Sequence, residues 1–314
     1  YVYLTNKFFH KSGNEFEKLA NFINDGLSTK YPNFRIEGSA LRQHTFYIYS
    51  LSLFFEKILR ELNVKQVYQA TYYDAVGLSI NLAAHNLKIE TFCVQHGGQS
   101  KNNPAFGKWT NVPKSGYEML PDVFLCWDWS SADTITDWAG SIEKHSTRIT
   151  GYDWPKLWRE GKIRTSQNIY QNFDFKNKFN ILFTMQPSIG LPPKVLTKVV
   201  KQFSDEFNWW FRVHPRQPEL EIEEQLKNLF GNKENIIVSE ATQRPLPELM
   251  SFMDLHITCF SSCVFEAVEF GVPTFFIHEA GQEYFNEHIL AGNAKLCLTI
   301  DELSSAIYYL KSET

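Results

Sequence analysis

The chain has 314 residues, of which 31 are Lys or Arg and 35 are Asp or Glu, so its formal net charge is −4. This length predicts two domains, and the balance of 43% hydrophobic and 21% charged residues excludes a disordered chain. The slightly acidic charge argues against a general nucleic-acid-binding protein. No stretch reaches the roughly 18 uninterrupted apolar residues of a membrane span, and no signal peptide is visible.

Five cysteines are scattered through mostly apolar segments, and they form neither a CxxC motif nor a Cys/His spacing typical of zinc. We therefore expect buried free thiols in a reducing cytoplasm. The chain begins at Tyr1, inside the strand-like segment 1–5, which is consistent with a fragment or one module of a longer protein.

Strand and helix signals alternate along the first half of the chain, after a long helix predicted over residues 41–62. This order is typical of βαβ units in a parallel sheet. The predicted strands are 66–71, 91–95, 122–127 and 148–150, and the predicted helices are 75–86 and 130–140.

A second alternating series begins at residue 180, after a polar segment rich in Asn, Gln and Lys. Its predicted strands are 180–185, 209–213, 236–238, 255–258, 274–277 and 295–298, and its predicted helices are 192–207, 219–230, 247–252, 261–270 and 301–310. We therefore predict an α/β protein with two Rossmann-like, doubly wound domains over residues 1–160 and 179–314, joined by a linker over 161–178. Such domains would face each other across a cleft at the carboxyl ends of both sheets.

The sharpest cluster of candidate binding residues lies at the end of the predicted strand 209–213. Arg212, His214 and Arg216 alternate there, and two cations with an imidazole at the carboxyl end of a strand suit an anion such as phosphate. Pro215 would fix the turn that presents the imidazole. The structural alternative is a simple His-Pro loop.

A second cluster lies where strand 255–258 gives way to the next helix. Ser261 and Ser262 open this helix, and hydroxyls with free backbone N–H groups at a helix N-terminus bind phosphate. Glu266 would point into the same cleft and accept hydrogen bonds from ribose hydroxyls. The alternative is that Ser261 is only an N-cap.

A polar turn after strand 180–185 gives a weaker third candidate, in which Gln186 and Ser188 would face the cleft. The chain has neither a GxGxxG fingerprint nor a P-loop, and it has no DxD motif. We therefore expect no resident cofactor and no obligate metal ion. The three basic side chains and helix dipoles would carry the phosphate charge instead.

The first domain offers candidates where its first two predicted strands end. Tyr73 and Asp74 follow the first strand, and Gln95 and His96 lie at the end of the second, so all four would lie on one sheet edge. A carboxylate and an imidazole facing a phosphate site suit general-base or electrophilic work. Asp74 could equally be a helix N-cap, whereas His96 beside two glycines is harder to explain by packing.

Aromatic residues make up 15% of the chain, and several accompany the candidate residues. Asp153 and Trp154 lie at the expected hinge, where Asp153 would touch the cleft or cap the following turn. Sugar rings pack on aromatic faces, so the cluster predicts a glycan-binding surface, with two aromatic-rich cores as the alternative. Its members are Tyr72, Tyr73, Trp109, Tyr117, Trp127, Trp129, Tyr152 and Trp154.

Taken in order, these motifs resemble those of bacterial surface-polysaccharide glycosyltransferases of the GT-B type, over about residues 65–300. The His-Pro and Ser-Ser pairs are similar to those of enzymes that use CMP-linked sugars, the Kdo and sialic acid transferases, and of polymerases that use CDP-linked polyols. The Asp/Glu-Asp/Glu-Gly motif of one sialyltransferase branch is absent. The resemblance is carried by Asp74, Gln95-His96-Gly97, residues 151–154, residues 212–215, Ser261, Ser262, Glu266 and residues 271–273.

The resemblance implies a metal-independent transferase that moves a sugar from a nucleotide-activated donor, with CMP favoured, to a growing capsule or lipopolysaccharide glycan. It implies that His214, Ser261 and Ser262 contact the donor phosphate, and that Asp74, or else Asp153, is the acidic catalytic residue. The implied partners are the nucleotide-sugar donor and a glycan or lipid-linked glycan acceptor, with peripheral association at the inner membrane or with other modules of a larger chain.

The same residues are also compatible with three other functions. One is a teichoic-acid-like polymerase that transfers a polyol phosphate from a CDP donor. Another is the non-hydrolysing UDP-GlcNAc 2-epimerase, which shares the GT-B fold and a His after an N-domain strand. The His-x-Glu-Ala-Gly run of those epimerases is replaced here by Gln95-His-Gly-Gly-Gln99. A module that only binds a glycan or a partner is the last alternative.

Overall fold

The computed structural model describes residues 13–107, 109–140, 142, 144–164 and 178–313. These residues form two compact units. The first unit contains the described residues up to His96 together with Trp109–Ile149, and the second contains residues 97–107 and the described residues from Thr150 onward. Within these residues, no helix combines the length and the apolar character needed to cross a bilayer.

The first unit is built on a four-stranded parallel sheet in the order β1-β2-β3-β4. Helix α2 packs against both α1 and α3, and Phe92, Phe124 and Ile135 are buried in the core. The elements in chain order are α1 (Gly13–Leu27), α2 (Gly38–Glu61), β1 (Gln66–Gln69), α3 (Ala75–Leu87), β2 (Glu90–Val94), β3 (Val123–Cys126), α4 (Trp129–Ala139) and β4 (Ser146–Ile149).

Two aspartates begin helices α3 and α4 of this unit. The Asp74 carboxylate accepts a hydrogen bond from the Gly77 N–H, and the Asp128 carboxylate accepts one from the Ser131 N–H, both at 2.7 Å. These bonds satisfy amide groups that the first turn of a helix cannot pair internally. A side chain at Gly77 would place its Cβ 2.6 Å from the Thr71 carbonyl oxygen, so only glycine lets α3 start this close to β1.

The second unit is a six-stranded, all-parallel sheet in the order β10-β9-β8-β5-β6-β7. Its elements are α5 (Asp153–Arg159), β5 (Asn180–Thr184), α6 (Lys194–Gln202), β6 (Asn208–Arg212), α7 (Glu219–Phe230), β7 (Ile236–Ile237), α8 (Ser239–Gln243), α9 (Leu246–Met250), β8 (Leu255–Thr258), α10 (Val264–Glu269), β9 (Thr274–Phe276), α11 (Glu279–Leu290), β10 (Ala294–Leu296) and α12 (Ile300–Glu313).

Both faces of this sheet are buried, as a doubly wound sheet requires. Ile181 and Trp209 contribute to one hydrophobic core, whereas Leu182 and Trp210, the next residues along β5 and β6, contribute to another. Successive side chains of a strand point to opposite faces, so continuous apolar strands fill a core on each side of the sheet.

The strand order of the second unit reverses between β5 and β8, which are neighbours in the sheet although four helices and two strands separate them in the chain. In open α/β sheets, a crevice opens outside the carboxyl ends of the strands at such a switch point, and ligands bind there. The strand order by itself therefore indicates a ligand site at the loops that follow β5 and β8.

All the predicted strands from residue 66 onward are present, with ends that differ by at most two residues. Helices α1, α5, α8 and α11 were not predicted, although the apolar residues of α1 do recur at helical spacing. The helix predicted over 192–207 ends at Gln202, and the helix predicted over 261–270 begins at Val264. The strand-like segment 1–5 lies outside the described residues.

The two units divide the chain differently from the predicted boundaries. Residues 97–107 belong to the second unit, and so does α5, which packs against α9 and α10. The ion pair between Arg159 and Glu269, at 3.0 Å, also joins α5 to this unit. The first unit therefore ends at Ile149 rather than at residue 160. Residues 165–177 of the predicted linker lie outside the described residues.

We expect the buried His256 of β8 to make the protein sensitive to acid. Its two ring nitrogens contact the Thr184 and Thr274 hydroxyls at 2.9 and 3.0 Å, and burial lowers its pKa to about 3. The unfolded chain takes up a proton near the ordinary pKa of about 6.5, so the stabilisation is present above that pH and is lost as the pH falls towards 3.

Between pH 6.5 and 4.5 this group should remove about 2 kcal/mol from the free energy of unfolding, measured by urea denaturation at several pH values. His256→Gln keeps an amide for hydrogen bonding but does not titrate, so its stability should fall less steeply over this interval. Equal slopes for the two proteins would contradict the assignment to His256.

Candidate functional site

The loops at the switch point of the second unit are tied to each other. Gln186 follows β5, and its side-chain oxygen accepts a hydrogen bond at 2.9 Å from the backbone N–H of Phe260, which follows β8. Gln186, which was predicted to face the cleft, thus links the loop after β5 to the loop after β8. Ser188 is exposed in the same turn.

The predicted serine pair lies directly after Phe260. The Ser261 hydroxyl donates to the Cys263 sulfur at 3.2 Å and accepts from the Cys263 N–H at 3.3 Å, so it caps its own turn. The Ser262 oxygen accepts a hydrogen bond from the Gly98 N–H at 2.9 Å. Because Ser262 acts as acceptor in that bond, its hydroxyl hydrogen can still be donated to a ligand.

His214, in the loop after β6, is held in one orientation by its neighbours. Its Nδ1 accepts a hydrogen bond from the Arg216 N–H at 3.1 Å, and its own backbone N–H donates to Gln217. Partial burial, and then the Arg216 charge, lower the pKa of His214. The imidazole is therefore neutral at pH 7, and its proton is on Nε2, which makes Nε2 a hydrogen-bond donor.

The two predicted arginines have different surroundings. Nη1 of Arg212 donates to the carbonyl oxygens of Ala241 and Arg244, both at 2.6 Å, so this side chain anchors α8 and the residue after it to β6. Nη1 therefore has a structural role, and the phosphate contact of Arg212 stays a prediction. Arg216 is exposed beside His214, where its charge is available to an anion.

Glu266 contacts Tyr152, which was predicted as part of the aromatic cluster and of the 151–154 motif but without a role at the ribose. The Tyr152 hydroxyl donates to Oε1 of Glu266 at 2.6 Å. Burial raises the pKa of the Glu266 carboxyl, while this hydrogen bond and the Arg212 charge oppose the rise. One oxygen of the predicted ribose-binding group is therefore already occupied by the phenol. The signal in the sequence was the Gly-Tyr pair directly before α5.

In the first unit, the predicted residues Tyr73, Asp74 and His96 lie at the carboxyl edge of the adjacent strands β1 and β2. The Tyr73 hydroxyl is 3.4 Å from Nε2 of His96, and the two rings are stacked with centroids 6.4 Å apart. All three side chains are exposed. Asp74 is the N-cap of α3, with one carboxylate oxygen bonded to Gly77.

Gln95 was predicted to lie on the acceptor side, but its side chain is bonded to other residues of the first unit. Its side chain is buried, its oxygen accepts from the Trp127 N–H at 2.6 Å, and its amide donates to the Ser131 hydroxyl at 3.0 Å. The carboxamide joins the end of β2 to the start of α4. Gln95 therefore has a structural role, which its position in the sequence could not distinguish from a binding role.

Asp153 and Trp154 belong to the first turn of α5 in the second unit, and both are exposed. The Trp154 ring meets Trp158 edge-on at 5.8 Å. The predicted aromatic surface is mixed, because Tyr72 is completely buried whereas Trp129 is 76% exposed. Among the described residues, no group of three or more His, Cys, Asp or Glu side chains is arranged to hold a metal ion.

No protein-family model and no curated protein matches the chain. Solved structures do match it. UDP-GlcNAc 2-epimerase from Neisseria meningitidis, bound to UDP-GlcNAc, superposes with a TM-score of 0.58 at 14% identity, over 85% of this chain and 72% of that one. A putative UDP-N-acetylglucosamine 2-epimerase from Listeria monocytogenes gives 0.59 at 14% identity, over 84% and 70%.

HepE from Anabaena, in complex with UDP and glucose, matches with a TM-score of 0.53 at 16% identity, over 81% of this chain and 70% of that one. At such identities the likeness concerns the fold. The predicted fold class is confirmed: the chain has the two-domain α/β fold with parallel sheets that is typical of GT-B proteins.

Proposed function

We propose that this protein is an enzyme that acts on a nucleotide-activated sugar. One observation carries the proposal: Gln186, His214, Ser261 and Ser262 all follow the carboxyl ends of β5, β6 and β8, on either side of the switch point of one doubly wound sheet. Ligands of α/β sheets bind at this place, and hydrogen-bond donors there suit phosphate oxygens.

The geometry suggests how a sugar-nucleotide phosphate would be bound. Nε2–H of His214 and the hydroxyl of Ser262 are oriented donors, because each already uses its acceptor atom within the protein. Arg216 adds an exposed positive charge next to His214. The second oxygen of Glu266 would accept from a ribose hydroxyl, while Tyr152 holds the first.

Two of the catalytic groups that we propose, Asp74 and His96, lie at the carboxyl edge of the first unit. Asp74 would act as general base or as nucleophile, and His96, held beside Tyr73, would position the substrate. Asp153, exposed at the start of α5, is the second carboxylate candidate. The glycan acceptor, membrane association and independence from metals stay predictions.

Two reactions are supported by different observations. The sequence motifs support glycosyl transfer from a nucleotide-linked donor, with CMP as the predicted nucleotide. The fold shared with UDP-GlcNAc 2-epimerases supports 2-epimerisation of a sugar nucleotide, and it makes UDP the first nucleotide to test.

A thermal-shift panel of UDP, CMP, CDP and GDP tests the proposal. A nucleotide present at 100 times its Kd stabilises the folded state by about 2.7 kcal/mol, which raises Tm by roughly 5 °C in a chain of this size. We expect one base to stand out. If no nucleotide raises Tm, the proposed function is wrong.

Product analysis with the matching sugar nucleotide separates the reactions. An epimer formed without any acceptor identifies the epimerase, whereas nucleotide release that depends on an acceptor glycan identifies the transferase. Transfer of phosphorus to the acceptor would identify the polyol phosphotransferase instead.

A further inference from the structure

A pocket of about 290 Å³ in the second unit lies beside the candidate phosphate site. We propose that this pocket holds the sugar ring of the bound nucleotide sugar, and that it accepts neutral sugars and rejects sugar acids. The inference rests on the proposed function and specifies its substrate class. We call it the ring pocket; its walls include Ser100, Asn103, Phe260, Ser262, Tyr284 and Phe285.

The position of the ring pocket links it to the phosphate. Ser262 belongs both to its wall and to the switch-point loop, and Phe260 is the residue whose N–H is bound by Gln186. A group attached to a phosphate at Ser262 would therefore enter this pocket. Its volume is at the lower end of the range for small-molecule sites, which suits one ring rather than a whole nucleotide.

The walls combine aromatic faces with small polar groups. The Phe260 and Tyr284 rings lie 6.2 Å apart, and the Phe285 ring stacks on Phe276 at 5.6 Å. C–H faces of a sugar pack on such rings. The Ser100 hydroxyl is buried and has no hydrogen-bond partner among the described residues, so a sugar hydroxyl would satisfy it.

Glycine at position 98 is needed to form this pocket. A Cβ there would lie 2.9 Å from the Phe285 ring, and the Gly98 N–H donates to Ser262. The segment that follows carries Ser100 and Asn103, and the side-chain oxygen of Asn103 accepts from the Ala105 N–H at 3.0 Å. The Asn103 amide is thereby oriented with its N–H groups as donors.

The absence of charge in the wall determines the sugar class. Among the residues that the structure describes, none of those that line the ring pocket is acidic or basic. A carboxylate placed there would lose its hydration without gaining a cation, which is costly in a partly buried site. We therefore expect a neutral hexose or N-acetylhexosamine, in contrast to the acidic sugars, Kdo and sialic acid, that the sequence resemblance implies.

Calorimetric titration of the full chain with UDP, UDP-glucose, UDP-GlcNAc and UDP-glucuronate tests the inference. UDP-glucose and UDP-glucuronate differ only in the carboxylate, so the better neutral sugar nucleotide should bind at least about 10-fold more tightly than the glucuronate. Tyr284→Ala should weaken the neutral sugar nucleotide and leave UDP unchanged. Tyr309→Ala, an aromatic removal at an exposed site of α12, is the matched control.

A second variant keeps the inference testable if Tyr284→Ala does not fold. Asn103→Arg adds a cation to the wall and should reverse the preference towards UDP-glucuronate. The inference is overturned if UDP binds but the glucuronate binds as tightly as the neutral sugar nucleotides. It is also overturned if Tyr284→Ala and Asn103→Arg both keep the wild-type preference for neutral sugar nucleotides. Failure of UDP and every UDP-sugar to bind would reject UDP as the nucleotide of the proposed function, and the ring-pocket inference with it.

Discussion

Asp74→Asn is expected to lower turnover of the sugar nucleotide by roughly 10²–10⁴-fold while the protein stays folded. Asp74 accepts the Gly77 N–H as the N-cap of α3, and Asn caps helices about as well as Asp. The substitution thus removes the negative charge and the basic oxygen without removing the cap. Steady-state turnover and thermal denaturation, measured on the same preparation, give the two readings.

Asp128→Asn provides a closely matched control. Asp128 caps α4 through the Ser131 N–H at the same 2.7 Å, and it also follows a strand of the first unit. We expect wild-type turnover from this variant and near-wild-type Tm from both. Turnover of Asp74→Asn above about a hundredth of wild type would show that Asp74 is neither base nor nucleophile.

His214→Ala is expected to weaken nucleotide binding by roughly 10- to 100-fold, because a hydrogen bond to a charged phosphate contributes about 1.5–3 kcal/mol. The orientation of the imidazole supports this value, since the Arg216 N–H occupies Nδ1 and leaves Nε2–H as the donor. Calorimetric titration with the nucleotide that shifts Tm gives the affinity.

His214→Gln tests whether the donor itself matters, because the glutamine amide can place an N–H near the position of Nε2. This variant should recover part of the lost affinity. His85→Ala, a histidine of the first unit, should bind as the wild type does. Unchanged affinity in His214→Ala would remove His214 from the phosphate site.

Local patterns in the sequence were sufficient for the fold. Continuous apolar strands such as Asn180–Thr184, punctuated by glycine, proline and polar turns, indicated two parallel sheets and the strand ends at which polar residues gather. Helix α11 was not predicted, and neither were the Tyr284 and Phe285 walls of the ring pocket. The helix is kinked at Phe285, so its apolar residues do not form one regular face.

The sequence by itself determined the fold class, the strands and the polar residues that follow them, because these depend on periodicity and on neighbouring residues. Only the tertiary structure decided which polar atoms are already paired within the protein. Gln95 and Arg212 are used for such bonds, whereas His214 and Ser262 keep a donor. Hydrogen-bond partners distant in the chain make that distinction, as Gly98 does for Ser262, and no local pattern encodes them.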